Sequence, residues 1–149
     1  MKKLFTLICL FALAAGTALA QEVYTEFTED DGTLTFYHDS ELENRSGLTE
    51  VYDPIGNPDA DRFDGYASDV YNVIIDPSMM DAPLTSMKEM FYGLSSIGYI
   101  EGLEMLNTEN VTDMSGMFAY CENIDNLDLT TFNTENVTDM NFMFIDVLL

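Results

Sequence analysis

Few residues in this 149-residue chain have the types and spacing that do chemistry. His38 is the sole histidine. A base or metal ligand there would need a second histidine, a cysteine or a well-placed carboxylate beside it. It closes an alternating stretch instead, which reads as a surface or half-buried strand residue. Asp59, Asp61 and Asp64-Gly65 begin like a calcium loop, but Phe63 falls where an oxygen ligand belongs and Val70 where the bidentate Glu would stand. A solvated acidic loop fits better. Cys121 follows a Met-Phe pair and reads as a small core hydrophobe. Met87, Met90, Met114, Met117, Met140 and Met143 form a thioether stripe that would suit only monovalent copper. Each pair adjoins a phenylalanine at core spacing, so packing is the simpler role. With no nucleophile elbow and no metal motif, neither an enzyme nor a cofactor is expected.

The element that must position these residues is a repeat. Asn107 to Met114, N-T-E-N-V-T-D-M, recurs letter for letter at Asn133 to Met140, and Met117-Phe118 is answered by Met143-Phe144. A fixed period of this length marks units that bury their apolar faces against neighbours. Two signals extend upstream. The first is apolar-x-x-apolar-x-apolar, at Val70, Val73, Ile75, then Ile97, Ile100 with Gly102 in third place, then Ile124, Leu127, Leu129. It predicts stacked parallel strands. The second is Met-x-x-Met-Phe, which puts three side chains on one face of a short helix. Thr112-Asp113 and Thr138-Asp139 supply caps for that helix, and Ser86 with Glu89 a capping box. Asn107, Asn133, Asn110 and Asn136 are expected to bond backbone groups at the bends.

Ahead of the repeats, Lys2-Lys3, the apolar run Leu4 to Ala14 and Ala18-Leu19-Ala20 make a signal peptide cleaved after Ala20. Val23 to Thr28 and Thr33 to His38 alternate around Glu29-Asp30-Asp31-Gly32, a β-hairpin signal. An irregular connection around Pro54, Gly56 and Pro58 follows. The net charge is −22. A polyanion of this density is repelled by nucleic acid and anionic lipid, so neither is an expected partner, and no membrane insertion is expected once the leader is gone.

The units at 106–129 and 132–144 resemble the BspA-like bacterial leucine-rich repeat surface proteins. So do D-G-T-L-T-F-Y at 31–37, the Arg-Ser-Gly at 45–47 and V-I-I-D-P-S at 73–78. The resemblance implies a secreted or surface-displayed protein that binds extracellular or host proteins, or other cells. The fold expectation is α+β: a leucine-rich-repeat-like solenoid, with a parallel strand ladder and short helices, behind an N-terminal β-hairpin cap. The division is 1–20 signal peptide, 21–68 cap and connection, and 69–149 about three turns, the last incomplete. The binding surface is expected on the outer strand face, at Tyr71, Asn72, Tyr99, Asn126 and Asp128. The next strand position would fall one residue past Leu149 or just beyond. That suggests a truncated array, or an open last layer that self-associates end to end as a second role.

Overall fold

The structure, a computed structural model, describes residues 21–51, 63 and 65–148. The segment 1–20 expected to be a signal peptide, the connection around Pro54, Gly56 and Pro58, and the acidic cluster Asp59, Asp61 and Asp64 lie outside the described residues.

The alternating stretches become strands β1 (Glu22–Thr28) and β2 (Thr33–Asp39), paired antiparallel from Glu22↔Asp39 to Thr28↔Thr33. Val23, Thr25 and Phe27 face inward beside His38, Phe36 and Leu34. Gly32 closes the hairpin with φ +65, and a Cβ there would lie 2.4 Å from the Tyr71 ring and 2.6 Å from the Asp69 carbonyl oxygen. Only glycine permits that approach. The gain is a tether, because the Gly32 carbonyl accepts the N–H groups of both Tyr71 and Asn72.

That tether starts β4 (Asn72–Ile75), which runs parallel to β2 in the register Leu34↔Val73 and Phe36↔Ile75. β3 (Leu48–Val51) lies antiparallel on the other side of β1, and β5 (Tyr99–Glu101) parallel to β4. The result is one five-stranded mixed sheet, ordered β3-β1-β2-β4-β5. The hairpin is therefore not a separate cap over a solenoid. Its second strand is the middle of the sheet.

Two further expectations fail with it. The third strand, at Ile124, Leu127 and Leu129, does not form; Asp125 N–H reaches the Gly98 carbonyl (3.1 Å), but no ladder continues. Asp125, Asn126 and Asp128 are poor strand formers, and Asp128 turns the chain by accepting both the N–H and hydroxyl of Thr130. The short helices do not form either. Among the described residues there are only 3-10 turns, at Leu42–Asn44, Ala67–Asp69, Pro77–Asp81 and Leu103–Met105, and no α-helix. The fold is thus a small, mostly β protein, not a leucine-rich-repeat-like solenoid.

The Met-x-x-Met-Phe segments are turns, and their hydrogen bonds explain why. Met87, Glu89, Phe91 and Gly93 donate their N–H groups to the carbonyls of Asp113, Ser115, Met117 and Ala119 at 2.8–2.9 Å. Met114, Gly116, Phe118 and Tyr120 do the same to Asp139, Asn141, Met143 and Ile145 at 2.8–3.0 Å. Alternate donors are spent between repeats, and those between them, such as Met90 to Met87, close three-residue turns. Nothing is left for helical i→i−4 bonds. Residues with left-handed φ recur in step: Glu89, Gly116 and Phe142, then Gly93, Tyr120 and Asp146. Each non-glycine there costs about 1–2 kcal/mol. Burial of Phe91 and Phe118, both 0% exposed, returns roughly 1.5–3 kcal/mol apiece. Their rings stack at 5.3 Å, and Phe118 stacks on Phe144 at 5.8 Å. The expected helix caps have other work. Thr112 and Thr138 hydroxyls donate to the carbonyls one repeat back, while Asp113 and Asp139 accept the N–H two residues on.

Candidate binding face

On β4 and β5 the inward residues Val73, Ile75 and Ile100 leave the intervening positions on the outer face. Asn72 and Tyr99 are register partners there, and Ile74 pairs with Glu101. Tyr99 is 52% exposed and Asn72 half-buried. Asn126 is exposed and follows Asp125, whose N–H bonds the Gly98 carbonyl, but it lies outside any strand. Of the five expected residues, the ladder brings together Asn72 and Tyr99. Tyr71 is 54% exposed but stands one residue out of phase, against the Gly32 turn. Asp128 is exposed, and its carboxyl is held below the usual range by the hydroxyl and then the N–H of Thr130. What the Asn72–Tyr99 pair offers chemically is a tyrosine ring and a side-chain amide on a sheet whose strands fix their spacing. Such a surface suits protein recognition, since tyrosine brings large contact area at low entropic cost.

A second cluster on the same sheet carried no motif. Arg45 lies over the Tyr37 ring at 3.6 Å from its centroid. Its Nη2 donates to Asp39 Oδ2 at 2.7 Å and its Nε to the Tyr24 hydroxyl at 3.0 Å, while that hydroxyl donates to Asp39. Burial, then the Asp39 hydrogen bond, pushes the Tyr24 phenol up to about 12. Burial would raise the Asp39 carboxyl, but bonds from Tyr24, the Glu41 N–H and Arg45 outweigh it and hold it below its ordinary value. The cluster pins the end of the hairpin to the following turn.

The other chemistry-bearing residues are packed away. His38 is 7% exposed on the inner face, its N–H bonds Ser78 Oγ, and its buried Nδ1 has no hydrogen-bond partner among the described residues. Cys121 is fully buried with Sγ donating to the Phe91 carbonyl (3.1 Å), and burial raises its thiol to about 12. Met87, Met90, Met114 and Met117 are all buried in the core. Asn107 and Asn133 accept the N–H two residues on, and the Asn136 amide donates to the Glu109 carbonyl.

Residues 80–148 match a family model. Its description is "Mycoplasma protein of unknown function, DUF285", and the match spans the Met-x-x-Met-Phe turn segments and β5, but not β1 to β4. That family is associated with BspA-like repeat surface proteins. No curated protein and no solved structure matches the chain. No helix among the described residues is long and apolar enough to cross a membrane.

Proposed function

We propose that this chain is a secreted or surface-exposed, non-enzymatic binding protein of BspA-like kind, which holds another extracellular protein on the outer face of its sheet. The observation that carries this reading is the pairing of Tyr99 with Asn72 on β5 and β4, with Tyr71 beside them. Tyr99 is held on a strand of the parallel ladder and Tyr71 stands just before β4 against the Gly32 turn, so both exposed rings project from fixed backbone, and preorganisation is what separates affinity from mere contact area. The association of the matching family with repeat surface proteins supports the setting. The charge of −22 favours a partner with a basic surface, which would be steered in at low salt.

The test is binding of the full chain to immobilised extracellular host proteins, with Tyr71→Ala and Tyr99→Ala singly and together. Truncating a tyrosine at the centre of a contact costs about 1.4 kcal/mol or more, roughly tenfold in affinity. The double variant should therefore lose at least that factor while its folding midpoint stays unchanged. Unaltered binding by a folded double variant would place the contact elsewhere.

A further inference from the structure

The outer face of the sheet carries one side-chain pattern twice, and the first copy is filled from within the molecule. On β2, Tyr37 and Asp39 stand two residues apart and so share a face. Between them they hold a guanidinium. Arg45 lies 3.6 Å from the centroid of the Tyr37 ring, and its Nη2 donates to Asp39 Oδ2 at 2.7 Å. On β5, Tyr99 and Glu101 have the same spacing. The registers Thr33↔Asn72↔Tyr99 and Thr35↔Ile74↔Glu101 put them on the face that Tyr37 and Asp39 occupy. Ile100, between them, packs against the core and so sets its two neighbours outward. Tyr99 is 52% exposed, and Glu101 is exposed. Neither side chain has a hydrogen-bond, ion-pair or ring partner among the described residues.

The cation that fills the first pair is not free to fill the second. Arg45 is spent on Asp39, Tyr24 and Tyr37, and residues 89–149 contain no lysine or arginine. A metal ion is a poor occupant. No group of three His, Cys, Asp or Glu side chains gathers among the described residues, and one carboxylate leaves most of a hard cation's coordination unmet. A lysine ammonium would meet the pair as a point charge. An arginine meets both members at once, because its plane lies on an aromatic face while its N–H fork reaches a carboxylate. That is how Arg45 is held on Tyr37 and Asp39.

We propose that Tyr99 and Glu101 form a capture site for an arginine side chain of a partner polypeptide, with the guanidinium on the Tyr99 ring and bonded to the Glu101 carboxylate. Arginine capture rests on the outer face being the binding face, and it names what that face selects. The net charge of −22 draws in any basic segment, whereas the Tyr-x-Glu pair tells arginine from lysine.

The experiment titrates the full, isotope-labelled chain with a short peptide of alternating glycine and arginine, and with the same peptide built with lysine. Anisotropy gives the affinities and NMR shifts give the site. Charge attraction is common to both peptides, so the ratio of their affinities is the readout. Arginine should bind about two- to fivefold tighter than lysine, the scale of an exposed cation–π contact, with the largest shifts at Tyr99 and Glu101. Tyr99→Leu and Glu101→Gln should each remove that preference. Glu104→Gln, which removes the same charge from an exposed position in the following turn, should keep it. Equal affinity of the two peptides for wild type, shifts centred away from Tyr99 and Glu101, or a preference that survives Glu101→Gln would each overturn arginine capture. Its failure is distinct from that of the binding face. If the Tyr71→Ala, Tyr99→Ala double variant loses its host protein but wild type shows no arginine preference, the face stands and arginine is not what it selects. If the preference is present and the double variant keeps its host protein, the arginine site stands and that protein docks elsewhere.

Discussion

Arg45 shows how much a single residue can organise in an acid-rich chain. It holds Tyr37 by its face, Tyr24 by its hydroxyl and Asp39 by its carboxylate. The folded Asp39 carboxyl titrates below its ordinary value of 3.8. Its contribution is therefore complete above the unfolded value and is lost as the pH falls through the lower, folded one. Asp39→Asn should cost about 1.5–3 kcal/mol at pH 7, the range for a hydrogen bond to a charged group. The gap between variant and wild type should then close as the pH drops below about 3.8. Urea midpoints at pH 7, 5 and 3 would check this; a gap that stays constant or widens toward acid would remove Asp39 from the role.

At the scale of elements, the alternation in 23–27 and 33–38 was enough to read the hairpin, because a half-buried strand writes its two faces directly into the sequence. The repeat register was also legible, and bonds do run between residues 26 or 27 apart. The helices were misread for a physical reason. Turns closed by i→i−3 bonds put apolar groups at the same three- and four-residue spacing as a helix, and the left-handed residues that break the helix include Glu89, Tyr120, Phe142 and Asp146, none of them a glycine. The joining of hairpin and repeats into one sheet was hidden as well, since β2 and β4 pair across more than thirty residues of chain. The pairing of Asn72 with Tyr99 followed from strand phase, Asn126 lost its expected strand, and the Arg45 cluster depended on contacts that no spacing encodes.

Gly102 belongs to the same scale. It stands where the repeat pattern calls for an apolar residue, at φ +83, and a Cβ there would lie 2.4 Å from the Ile75 carbonyl oxygen. The exception to the pattern is thus a point just after β5 where the backbone passes against the end of β4. Gly102→Ala should cost roughly 2–4 kcal/mol from left-handed strain and the displaced strand end. A drop of that size in the folding free energy from a urea titration is expected, and a cost under about 0.5 kcal/mol, the range of a neutral surface change, would contradict the close approach.

The molecule as a whole combines a dry column of Met and Phe with a charge of −22. Like charges on one small body repel, and salt screens them over about 10 Å at 0.1 M. Raising sodium chloride from 0.02 to about 0.5 M should therefore raise the melting temperature by several degrees, read by circular dichroism. A melting temperature that falls would mean that attractive pairs outweigh the repulsion. The same field repels polyanions and attracts basic surfaces, the kind of partner that the proposed role calls for.

Everything at the larger scales depends on successive repeats being joined peptide to peptide instead of coiling into helices. Scalar couplings across hydrogen bonds, measured by NMR on the labelled chain, read this directly. Couplings are expected from Phe91 N to the Met117 carbonyl carbon and from Phe118 N to the Met143 carbonyl carbon. Couplings from Phe91 N to Met87 and from Phe118 N to Met114 in their place would mean that these segments are helices, and would contradict the structure described above.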